Sequence, residues 1–120
     1  MSAEAQEAEL RARLRQQEHI RRLIYRLTTP GWKSAWGELV DLGHIAIPHL
    51  INALDRTEDA YCTFQPDNPL RARPLRDVCV QVLEEIVVYH SNYQGELPQP
   101  TKEDWAFWWA ENGEKIVFNR

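Results

Sequence analysis

Apolar residues recur at helical spacing along most of this chain, and each such stretch is bounded by glycine, proline or a capping residue. Residues 3–27 are rich in Ala, Glu, Gln, Leu and Arg and contain neither Gly nor Pro, which predicts one long helix. Within it apolar residues become dense only at Ile20, Leu23, Ile24 and Leu27. The second half is therefore expected to dock on a core and the first half to project into solvent. Glu4, Glu7 and Glu9 come early and Arg11, Arg13, Arg15, Arg21, Arg22 and Arg26 later, an order that complements the helix dipole.

Thr28, Thr29, Pro30 and Gly31 break this helix. A second helix is predicted over residues 32–42, with Trp32, Trp36, Leu39 and Val40 on one side, and a third over 45–54, carrying Ile47, Leu50, Ile51 and Leu54. Between them Gly43 can take a left-handed conformation and Pro48 falls in the first turn of the third helix, so the pair reads as an antiparallel hairpin. Gly37, inside the second helix, costs about 1 kcal/mol relative to Ala and suggests a close backbone approach.

Residues 56–74 hold Pro66 and Pro69 and follow neither periodicity, so they read as a long loop. Leu75, Val78, Cys79, Val82, Leu83 and Ile86 then give the most regular helical pattern in the chain. Val80, Val87 and Val88 widen its apolar face, which places this helix centrally. A second loop spans 91–100. Thr101 reads as the N-cap of a Trp-rich capping helix over 101–112, ended by Gly113, and the tail through Ile116 and Phe118 is expected to run extended over the core.

The fold class that follows is all-α, about five helices stacked as antiparallel hairpins, in a single domain over residues 1–120. A length of 120 residues supports one core. The chain is 43% hydrophobic and 27% charged, with a net charge of −4, which suits a globular protein and argues against nucleic acid as a partner. No apolar run reaches the ~20 residues that span a bilayer, so no membrane span is expected. Cys62 and Cys79 are too few for a disulfide framework and, with an acidic amino terminus lacking an apolar segment, fit a cytoplasmic protein.

Candidate chemistry is sparse. His44 and His49, with Cys79 or His90, are metal-compatible residue types, but they sit in no ligand motif and read as surface or turn histidines, with no metal and no cofactor expected. Cys79 falls on an apolar helix face, where burial suppresses thiol reactivity. Glu84, Glu85, Tyr89 and His90 read as the solvated edge of a helix rather than acid/base equipment. Trp105, Trp108 and Trp109 read chiefly as core, with at least one edge left exposed, and Tyr61, Phe64 and Tyr93 place aromatic side chains in loops.

The segment from Leu42 and Gly43 to Asp55, and again Leu75 to Ile86, resembles HEAT repeats, the paired-helix units of α-solenoids. The Trp-rich ending is similar to segments that close some bacterial HEAT-like domains. By that resemblance Asp55 corresponds to the inter-helix Asp and Arg76 to the ladder-forming basic residue, although the 56–74 loop is longer than the family's turn. The resemblance implies a non-catalytic protein–protein interaction module, an adaptor or accessory subunit whose partner is another protein. Arg22, Arg26, Trp32, Tyr61, Phe64 and Trp109 are the expected contact residues. The alternative is a small acidic immunity protein or antitoxin that inhibits its partner.

Overall fold

The computed structural model describes residues 2–58, 60 and 74–118. Among these are five α-helices: α1 (Ala3–Arg26), α2 (Trp32–Leu42), α3 (Ile47–Asn52), α4 (Leu75–Tyr89) and α5 (Lys102–Asn112). The all-α class and the long first helix stand as expected. Ser2 caps α1 by accepting the Ala5 N–H at 3.2 Å, and Thr101 caps α5 by accepting the Asp104 N–H at the same distance, so two of the otherwise unbonded first-turn amides are satisfied.

Ile20, Leu23, Ile24 and Leu27 are buried, whereas every residue from Ser2 to His19 is exposed. The docked end of α1 packs on α2 and α3. At about 1.5 Å per residue, a helix of this length runs roughly 36 Å, and the molecule measures 57 × 32 × 24 Å.

The hairpin corner turns on Gly43, whose φ of 62° and ψ of −128° lie where side-chain-bearing residues are strained. Its N–H closes α2 by donating to the Leu39 and Val40 carbonyls. The third helix is shorter than the periodicity predicts: α3 covers only Ile47–Asn52, flanked by 3-10 turns at Gly43–Ile45 and Ala53–Asp55. Pro48 is the reason at the front end, because it has no N–H to offer the carbonyl four residues back. The chain there winds by tighter bonds, such as Ala46 N–H to Gly43 O at 3.0 Å.

Helix α4 is central, packing on α2, on α3 and on the 3-10 turn after α3. Its buried set of Leu75, Val78, Cys79, Val80, Val82, Leu83, Ile86 and Val87 wraps more than half of the helix, which is why it needs neighbours on several sides. Burial pushes the Cys79 thiol up to about 12, outweighing the opposing influence of Arg56. The base of the 56–74 connection is fastened where the Leu75 N–H donates to the Glu58 carbonyl at 2.7 Å.

One local expectation is corrected. Gly37 faces open solvent, and a Cβ built there would meet nothing within 4 Å, so no close approach requires it. Asp55 pairs with Lys102 of α5 at 2.9 Å, while Arg76 lies 4.0 Å from its own neighbour Asp77, so no Asp55–Arg76 ladder forms. The tail does run over the core: Ile116 and Phe118 are half-buried, Val117 points out, and Asn92 holds Val117 through two bonds of 3.0 Å.

Candidate protein-interaction surface

Leu10 and Leu14 are 56% and 55% exposed on the projecting part of α1. They are four residues apart and so lie on one side of the helix. Around them the helix is fastened by pairs along its own length: Arg11 with Glu7 at 3.7 Å, Arg13 with Glu9 at 3.1 Å and Arg22 with Glu18 at 3.0 Å. Each pair is exposed, and together they support helicity without adding a core. The arm thus keeps its shape and leaves two leucines uncovered.

Four of the six expected contact residues lie among the described residues, on helices α1, α2 and α5. Arg22 and Arg26 are exposed near the docked end of α1, and the Arg26 guanidinium lies over Gly31, where a Cβ would come within 3.2 Å of it. Trp32 opens α2 half-buried, with Lys33 Nζ 5.6 Å from its ring centre. Trp109 is on α5, which packs on α3 and the following turn. It is half-buried between Trp108, stacked at 6.4 Å, and Phe118 at 6.2 Å. Gly113 is confined by it, since a Cβ there would fall 2.7 Å from the Trp109 carbonyl. Tyr61 and Phe64 lie outside the described residues, as does Cys62.

Trp105 is fully buried and Trp108 nearly so, and their rings meet edge to face at 5.4 Å. Tyr93 adds a second edge contact to Trp108 at 5.1 Å and donates its hydroxyl to the Glu96 carbonyl at 2.8 Å. The indole Nε1 atoms of Trp105 and Trp108 are both buried and have no hydrogen-bond partner among the described residues. Such donors cost about 1–3 kcal/mol each, partly offset where an edge contact turns a polarised N–H towards a π face.

Two surface grooves combine apolar and acidic lining residues. One, about 320 Å³, lies between α2 and α4, with Trp36, Val88 and Tyr89 beside Glu84 and Glu85. The other, about 330 Å³, lies between α5 and residues 96–99, where Phe107 is 66% exposed. Sequence reading missed the second because its acidic residues come from two elements and the exposed ring, Phe107, sits among tryptophans that face inward.

His44 is exposed with its ring 5.5 Å from Phe118, while half-buried His49 is held below its ordinary value by burial and by the nearby Arg21 charge. Among the described residues no group of three or more His, Cys, Asp or Glu is placed to hold a metal ion, and no helix is long and apolar enough to cross a membrane. No protein family, curated protein or solved structure matches this chain.

Proposed function

We propose that this chain is a non-catalytic protein–protein interaction module, an adaptor or accessory subunit that works in the cytoplasm as part of a larger assembly. The observation that carries the reading is the α1 arm, exposed from Ser2 to His19 and presenting Leu10 and Leu14 to solvent. A helix with a leucine pair at i, i+4 is the shape that an apolar groove on another protein accepts. Extending it into water forgoes burial worth roughly 1.5–3 kcal/mol per leucine, which a partner recovers. The HEAT-like hairpin from residue 42 to 55 supports the same reading, since stacked helical hairpins present surfaces rather than enclosed reaction sites.

The test is affinity purification of the full tagged chain from its native cells beside a Leu10→Glu/Leu14→Glu variant. A partner retained by the parent chain and lost by the variant, with the melting curve unchanged, is expected. Identical co-purifying sets would overturn the reading.

A further inference from the structure

We propose that the groove between α5 and residues 96–99 docks an arginine-bearing apolar segment of a partner protein. This rests on the reading of the chain as an interaction module, but it concerns a different surface from the α1 arm. Leu97, Pro98, Phe107 and Trp108 form its apolar part, and Glu96, Asp104 and Glu111 its acidic part. On α5, Asp104, Phe107 and Glu111 follow i, i+3, i+7, which brings both carboxylates and the exposed ring to one outward side.

The local chemistry of the helix does not account for this arrangement. Asp104 in the first turn suits the helix dipole, but Glu111 in the last turn opposes it. Among the described residues none of Glu96, Asp104 and Glu111 is in an ion pair, and the helix's own cation, Lys102, is engaged by Asp55. No lysine or arginine among the described residues lines the groove. Trp108, only 6% exposed, lines the groove and carries an indole N–H without an acceptor.

Charge complementarity selects the occupant. An acidic apolar groove repels acidic segments and favours a cation that also tolerates an aromatic wall. Arginine meets both conditions, because its planar guanidinium stacks on a ring while forking to a carboxylate. The flanking apolar residues of the same segment would cover Leu97, Pro98 and Phe107, removing their surface from water.

The experiment is an NMR titration of the isotope-labelled full chain with a capped pentapeptide alternating leucine and arginine, beside its leucine–glutamate counterpart. A saturable shift at the Trp108 indole N–H, with neighbouring shifts at Leu97 and Phe107, is expected for the arginine peptide and not for the glutamate one. A Glu96→Gln/Glu111→Gln variant should bind about fivefold more weakly, as expected for the loss of two exposed charges. Phe107→Ala, at an exposed position, should weaken binding without altering the fold. Three results would overturn the proposal: no saturable shift at Trp108, equal binding of the glutamate peptide, or shifts that spread over the acidic end of α1 and persist in the double variant. Such a failure leaves the arm-based reading standing, because the Leu10 and Leu14 variants do not touch this groove; conversely, identical co-purifying sets for the parent and the arm variant would leave the peptide titration unchanged.

Discussion

Lys102 Nζ lies 2.9 Å from Asp55 Oδ2, joining the first turn of α5 to the 3-10 turn that ends the α3 hairpin. The Lys102 hydrogen bond holds the Asp55 carboxyl below its ordinary value, against a smaller opposing effect of burial. A depressed carboxylate favours the fold above its unfolded value and loses that contribution as pH falls through the folded one. The pair is largely in water, so salt screens it. Asp55→Asn should therefore lower the melting temperature slightly at low salt, with the difference shrinking as salt is added or as pH drops below 4. A large, salt-independent loss would show that Asp55 does something other than pair with Lys102.

Gly37 and Gly43 should respond to alanine with opposite signs. Gly37 is exposed within α2 with open space around it, so Gly37→Ala should stabilise by about 0.5–1 kcal/mol through helix propensity and a less flexible unfolded chain. Gly43 also has room for a Cβ but sits at φ 62°, and Gly43→Ala should cost on the order of 1–3 kcal/mol. Urea denaturation of the two variants checks the pair. Equal effects would mean that the corner relaxes to another turn.

The His49 environment predicts a stability that falls on mild acidification. Burial first, and the Arg21 charge second, favour the neutral imidazole in the folded chain. The unfolded chain then binds the proton more readily. The penalty is absent well above pH 6.5, sets in as pH falls through the unfolded value, and is complete below the folded one. Denaturation midpoints measured between pH 8 and 5 should show this slope, and His49→Gln should flatten it. An unaltered slope in the variant would assign the effect to another group.

Cys79 should behave as core rather than as a reactive thiol. With its thiol pushed up to about 12, almost none is thiolate near neutral pH. In a Cys62→Ser background, modification by a disulfide reagent should be slow in buffer and prompt in denaturant. Rapid labelling of the native chain would place Cys79 nearer the surface than its full burial implies.

Periodicity made the helices legible because burying one face of a helix demands apolar residues every three or four positions, and that demand is written locally. The docked half of α1 and the central position of α4 follow from it, and the Thr101 cap from a hydroxyl placed just ahead of a helical run. The reading of Gly37 failed for a complementary reason: a glycine signals conformational or steric need only where the backbone or a neighbour imposes one, and spacing cannot show either. The shortening of α3 was hidden because apolar spacing registers buried faces, and α-helical and 3-10 turns bury them almost alike.

Residue order alone determined which segments coil and which sides turn inward, since these depend on interactions within a few residues. Only the folded chain decided that Asp55 meets Lys102 rather than Arg76, that two tryptophan N–H groups of α5 go without acceptors, and that Glu96 joins Asp104 and Glu111 around Phe107. Those relationships join residues from separate elements, and packing of the elements against one another brings them within reach.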